Sequence, residues 1–555
     1  GGTTVLNVAA STVGGNLYLR SGNASGITDS GTVTVGGNLT ATTDANSGVI
    51  NLGTLAIDGT VALTTNGSGN ATVVNDAGLN FAASTVGGAL NATATTGNMT
   101  DSGALAITGT SSFTTSANNA DITLNNTNAF TGAITLSTTG TSAHANIDGG
   151  TTALNIAASS VAGNLYLRTG NNITDSGTVT VGYGLVATTD ANNGAINLGT
   201  LAVGSTVDLT THGSGNATVV NDAVLIIAAS EVGGNLAATA TTGNILDNGV
   251  LTVAGTSSFT TSQNNADITL NNTNAFTGAV ALNTTGSTGN ALVDNGTTAL
   301  NVAASTVGGN LILTSGHASG ITDSGTVTVG GNLTATTDAN SGAINLNQLA
   351  VGSSYGTIYL TTNGSGNATV VNDRSLELRN AVVGGNLAAT ATTGNISDIG
   401  TLTVAGTSSF TTSANNAYII LNNANALTGA VSFNTTGSSG YALVDNGTTA
   451  LIVAQSSVGG NLTLTSGHAS GITDSGTVTV GGNLTATTDA NSGVINLGTL
   501  AIDGTVALTT NGTGNATVVN DAGLNFAAST VGGALNGTAT TGSRADSGAL
   551  ALPGA

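Results

Sequence analysis

GTLAIDGTVALTTNG, residues 53–67, decides how this chain folds. Leu55 and Ile57 alternate with Ala56 and Asp58, and Val61 and Leu63 alternate with Ala62 and Thr64, on either side of the turn dipeptide Asp58-Gly59. A period of two in short runs rich in Val, Ile and Thr, closed by DG and NG, reads as strand, turn, strand, and helical spacing is absent. So short a segment carries an aliphatic stripe it cannot bury by itself, and needs copies of itself to stack against.

The copies are present. GTTxLNxAA stands with its first Gly at positions 2, 150 and 296, and as GTTALIVAQ at 447, which divides the chain into units 1–148, 149–294, 295–445 and an incomplete 446–555. GGNLTATTDANSG recurs letter for letter at 36–48, 330–342 and 481–493. The units differ in length where turns are expected: SGNASGITDSG shortens to TGNNITDSG in the second, and the third inserts residues at VGSSYGT. Inside each unit there is a weaker doubling, in which LNVAASTVGGNL at Leu6 is echoed half a unit later by LNFAASTVGGAL at Leu79. The apolar residues before successive turns, Val8, Val35, Ile57, Phe81, Ile107, Phe130 and Ile156, suggest six coils per unit. The expected fold is therefore all-β, a parallel β-helix solenoid of about 22 coils of about 25 residues, one continuous rod on the order of 105 Å at one strand spacing per coil.

Composition agrees with stacked strands. Among 555 residues there are 83 Gly for the turns and a single Pro, Pro553, which would delete a ladder hydrogen bond inside a strand and is read as a ladder terminator or sequence drift. Hydrophobic residues make up 39 %, too many for a disordered Gly/Ser/Thr linker. Aromatic girdles are too sparse for a transmembrane β-barrel, and no apolar run is long enough for a membrane helix. The first residues lack the basic start of a signal peptide, and neither end shows a polar cap, so a slice of a longer array or end-to-end stacking is expected.

Charge narrows the function. Twenty-six acidic residues face five arginines, Arg20, Arg168, Arg374, Arg379 and Arg544, giving a net charge of −21. Nucleic acid and anionic membranes are poor partners for such a surface. The absence of Cys excludes disulfides, thiolate metal sites and cysteine nucleophiles.

No residue pattern marks a catalytic, cofactor-binding or metal-binding site. Asp29, Asp101, Asp175, Asp247, Asp323, Asp398, Asp474 and Asp546 recur once per half-unit and are read as turn caps in a column, three coils apart. Asp44, Asp190, Asp338 and Asp489, in TTDAN, resemble a calcium loop only in part. Of His144, His212, His317 and His468, the last two sit in SGHASG where the first unit has SGNASG, poor behaviour for a ligand or base. Asn38 and Asn70 head Asn-x-Thr triplets of the kind chance supplies in this composition. Threonines such as Thr32, Thr34, Thr40 and Thr42 form only partial TxT ranks, short of an ice-binding face. Asp373, Arg374, Glu377 and Arg379 make the one local charge cluster, the place a polysaccharide-cleaving groove would occupy, and read more simply as a divergent exposed coil.

VGGNLTLTSG, GITDSGTVTVGGNL and NNTNAFTGAV are similar to the β-strand repeats of large bacterial surface exoproteins of the filamentous haemagglutinin-like, two-partner-secretion class. That resemblance, carried by repeat grammar along the whole chain, implies a right-handed β-helix exported to the cell surface, with a role in adhesion, biofilm or surface architecture. Together with the residues it sets the expectation of a non-enzymatic extracellular fibre without cofactors, whose partners are copies of itself and a host or neighbouring-cell surface. The alternatives are a ligand- or ice-binding solenoid and, behind it, a polysaccharide-cleaving enzyme.

Overall fold

In the computed structural model, which describes residues 2–44, 47–190, 193–338, 341–352, 356–489 and 492–552, alternation becomes strands of two to eight residues, and no helix occurs among the described residues. No helix is therefore long and apolar enough to cross a membrane. Among the described residues the strand pairings are parallel, each strand lying beside the one a turn later, as in Leu17–Ser21 against Leu39–Thr43. The chain is an all-β parallel solenoid of about 25 turns. It divides into two units, Gly1–Gly278 and Ala279–Ala555, a boundary that falls inside the second sequence repeat.

Within Gly1–Gly278 two sheets face each other across the core. The first carries the LNxAAS segments that begin at Leu6 and Leu154, and the second carries those at Leu79 and Leu225. Ala279–Ala555 has the same plan, with Leu300 and Leu451 on its first sheet and Leu376 and Leu524 on its second. Side chains alternate as the pleat demands: Leu39, Ala41 and Thr43 point inward and are buried, while Thr40 and Thr42 lie outside. Burial of each inward Leu, Ile, Val or Phe is worth roughly 1.5–3 kcal/mol, and no turn retains that gain without its neighbours.

Register refines the coil count. From Leu6 the ladder steps to Ile27, Ile50, Ala71, Leu90, Ser111, Ile134 and then Ile156, seven turns for one repeat. The shortest of these steps runs from Ala71 to Leu90 and the longest from Ile27 to Ile50 or Ser111 to Ile134, so the turn is slightly tighter than the coil expected from the sequence. The expected six coils came from residues that do not share a column: Val8 pairs with Asp29, whereas Val35 pairs with Val13.

Seven turns per repeat has a consequence for the half-repeat. Between Leu6 and Leu79 the chain makes three and a half turns, so each copy of LNxAAS lands on the sheet opposite the previous copy. Along each sheet, stretches of paired short strands such as Leu6–Val8 with Ser11–Val13 alternate with straight strands such as Leu90–Ala94.

Corners are closed by side chains. Thr43 Oγ1 donates to Gly48 O at 2.8 Å and Thr65 Oγ1 to Gly69 O at 2.6 Å, buried hydroxyls that find their partners inside the corner. Gly26 takes φ 66°, and a Cβ there would run into the Val49 carbonyl. The shortening of SGNASGITDSG to TGNNITDSG in the second repeat removes this tight corner, between Leu165–Thr169 and Ile173–Asp175. The third repeat's insertion lies between Ile344–Val351 and Thr357–Thr362; residues 353–355 and Pro553 fall outside the described residues.

Candidate functional site

The recurring aspartates are the most regular polar feature, and the structure gives them one task. Where strand Ile50–Ile57 meets Ala71–Asn75, the register slips between Leu52 and Leu55, leaving Gly53 and Thr54 without ladder partners. Asp29, one turn earlier, accepts from Gly53 N at 3.1 Å, Thr54 N at 2.7 Å and Thr54 Oγ1 at 2.9 Å. Buried Asn75 braces the other side, accepting from Ile57 N at 2.8 Å and donating to Gly78 O at 2.6 Å. Asp175 serves Gly199 and Thr200, and Asp323 serves Asn347 and Gln348, at the same slips. Asp101, Asp247 and Asp398 bind the paired Asn amides that follow strands Ile122–Leu124, Ile268–Leu270 and Ile419–Leu421. The expected capping role holds for these six and for Asp474, which serves Gly498 and Thr499, and it is directed at the next turn.

The expected single column does not hold. In Gly1–Gly278, Asp29 and Asp175 lie on the first sheet and Asp101 and Asp247 on the second. In Ala279–Ala555, Asp323 and Asp474 alternate in the same way with Asp398 and Asp546. Same-sheet neighbours are seven turns apart, about 34 Å at one strand spacing per turn. Their charges are mutually screened at that distance, since the Debye length is about 8 Å in physiological salt.

Of the TTDAN carboxylates, Asp44 and Asp190 are each held by an arginine one turn back: Arg20 Nη2 to Asp44 Oδ1 at 3.0 Å, Arg168 Nε to Asp190 Oδ2 at 3.2 Å. The hydrogen bond and charge of Asp44 raise the Arg20 pKa. In the third and fourth repeats the arginine position is Thr314 or Thr465. The calcium-loop reading also involves residues 45–46, 191–192, 339–340 and 490–491, which fall outside the described residues. Asp148 is the register partner of Arg168 but accepts from Gly150 N at 2.7 Å, and Asp148, Arg168 and Asp190 line, with Thr151 and Thr152, a depression of about 670 Å³. The Arg168 guanidinium is already paired with Asp190, which leaves it little attraction for an anion. The sequence signal for these pairs, LYLR at 17–20 and 165–168 followed by TTD, went unread.

The histidines act as turn acceptors or donors. His317 Nδ1 accepts from Ser319 N and His468 Nδ1 from Ser470 N, both at 3.0 Å, and Asn23 Oδ1 accepts from Ser25 N at 2.8 Å in the first repeat. His144 Nδ1 accepts from Asn164 N, and His212 Nδ1 lies 2.7 Å from the Thr189 carbonyl. Asn38 and Asn70 accept the Thr60 and Ala89 amides of the next turn. The threonine ranks break in register: Thr40 lies between Tyr18 and Ala62, and Thr34 between Thr12 and Ala56.

The third repeat's charge cluster is divided among separate partners. Arg374 donates to Gly352 O and lies 3.7 Å from Asp373, Glu377 accepts from Thr357 Oγ1 at 2.6 Å, and Arg379 stands over the Tyr359 ring at 5.9 Å. These groups do not converge on one point, as a cleavage site requires. What the sequence reading missed is their company: the rings of Tyr418 and Tyr441 stack at 5.2 Å on the same sheet.

A chain of parallel turns, each capped by side chains of its neighbours and repeating every three and a half turns, is a β-solenoid repeat protein. It belongs to the family described as repeats of unknown function, DUF5649, whose profile matches residues 68–137, 142–199, 214–283, 288–351 and 365–434, more than half of the chain. Successive matches begin 72 to 77 residues apart, so the family's unit is the half-repeat, the three-and-a-half-turn element seen in the structure. No curated protein and no solved structure matches the chain.

Proposed function

We propose that the chain is a stretch of a non-enzymatic, extracellular bacterial surface fibre, of the filamentous haemagglutinin-like kind, that works in adhesion or surface architecture and associates with copies of itself. The observation that carries this reading is the reuse of one capped half-repeat on alternating sheets, which presents the same polar features along both sides of the solenoid. A reaction site needs one constellation once; a gripping or spacing surface gains from repetition, because weak contacts along one body sum. The net charge of −21 suits a solvated exterior in which copies meet only at selected places.

Immunogold labelling of intact producing cells, paired with protease shaving, tests the proposal. Gold at the cell exterior and loss of the signal on shaving are expected. A chain found only after lysis would overturn it.

A further inference from the structure

The third repeat departs from the others on one face. Arg379 stands where the other repeats have Ala82, Ala228 and Ala527, and Tyr359 stands where they have Ala62, Asp208 and Ala507. Tyr418 replaces Asp121 and Asp267, and Tyr441 replaces His144 and Asn290. These substitutions are far apart in sequence, yet all fall on the second sheet of Ala279–Ala555, on strands Thr357–Thr362, Leu376–Arg379, Ile419–Leu421 and Ala442–Asp445 or the residues that lead into them. The register carries Glu377 to Ser397, Ile420 and Leu443 on successive turns, so the outer row between the arginine and the tyrosines is polar on the arginine's turn and the next and becomes aliphatic on the two turns of the tyrosines. Ile399, the register partner of Arg379, is 38 % exposed and replaces Ser102 and Asn248.

We infer that this face is a contact between two copies of the chain. An exposed Ile399 beside half-buried Ile420 and Leu443 favours a protein surface over a sugar, and Tyr and Arg are the residues that dominate protein contacts. Charge selects the partner. Most of the chain is acidic and copies repel, but this face places a guanidinium at one end and two stacked tyrosine rings at the other. A two-fold axis in the plane of the face, midway between Arg379 and Tyr418, lays each copy's guanidinium on the other's rings, a self-complementary cation–π pair. Ile399, Ile420 and Leu443 fill the space between. The face spans only a few turns, well below the roughly 800 Å² per partner of a stable interface, so the pairing is weak and concentration-dependent. It is also favoured by added salt, which screens the repulsion between the acidic chains.

Sedimentation velocity of the full chain over a series reaching about 200 µM, a range that resolves micromolar dissociation constants, tests this inference. Monomer–dimer exchange that strengthens between low and physiological salt is expected. Tyr418→Ala combined with Tyr441→Asn, the residue of the second repeat, removes both half-buried rings without setting a carboxylate opposite the guanidinium, and Arg379→Ala restores the residue of the other three repeats, so both variants keep the fold. Each is expected to raise the dissociation constant at least tenfold, while Tyr18→Thr, on the first repeat, leaves it unchanged. A chain that stays monomeric, or variants that associate like the parent, would overturn the inference, as would a soluble polysaccharide that binds this face on a monomer. The surface-labelling result stands or falls separately.

Discussion

At His317 an imidazole nitrogen accepts the amide two residues on, and at Asn23 a carboxamide oxygen does the same, which explains why one chain writes Asn and His interchangeably in this turn. His317→Asn should therefore shift stability by less than about 0.5 kcal/mol, while His317→Ala, which orphans the Ser319 amide, should cost about 0.5–1.5 kcal/mol, both read from denaturant unfolding. Asp208 is a residue at odds with its place. It sits outward beside Val186, and burial raises its carboxyl pKa above the ordinary 3.8. The folded state then holds the proton more tightly than the unfolded chain, so stability is fully present below the ordinary value and is lost as pH rises through the raised one. Asp208→Ala, the residue at positions 62 and 507, should match the parent near about pH 3 and exceed it at about pH 7 in paired thermal melts. At this scale the sequence showed which residues belong to turns, because Gly, Asn and Asp declare them locally. It did not show that Asp29 acts on Gly53 and Thr54, since that bond exists only after the turns stack.

Within a repeat the core exchanges shapes while keeping its volume. Phe113 meets Phe130 edge-on at 5.8 Å and Phe259 meets Phe276 at 5.6 Å, whereas the third repeat has Leu427 at the Phe130 position and Phe433 at the Leu136 position. The ring has moved from one sheet to the other, and Phe433 now stacks on Phe410 at 6.2 Å with the planes 14° apart. Leu427→Phe alone should overpack this turn by about 1–3 kcal/mol, and adding Phe433→Leu should recover most of the loss, because the pair restores the packing of the first two repeats. Hydrogen exchange of the amides in Ser408–Asn415 and Val431–Thr436 reports the result locally. The strands themselves were legible from period-two alternation in stretches such as residues 53–67. Their columns were not, because Val8 and Val35 look alike in sequence but sit on different ladders.

Across the molecule, the half-repeat sets what each side presents. Three and a half turns place Thr12 and Ser160 on the first sheet of Gly1–Gly278 and the equivalent Thr85 on the second. The repeat lengths were plain in the sequence, but the alternation was not, because it depends on dividing the half-repeat by a turn whose length only the register reveals. The absence of cysteine makes a direct measurement simple. Spin labels attached to cysteines introduced in pairs at positions 12, 85 and 160 give distances by double electron–electron resonance. Outward labels at 12 and 160 should lie about 34 Å apart, seven strand spacings on one face, and those at 12 and 85 about 30 Å apart, since half that rise is joined by the thickness of two sheets. A separation of about 17 Å between 12 and 85 would place both copies on one face and contradict the alternating solenoid.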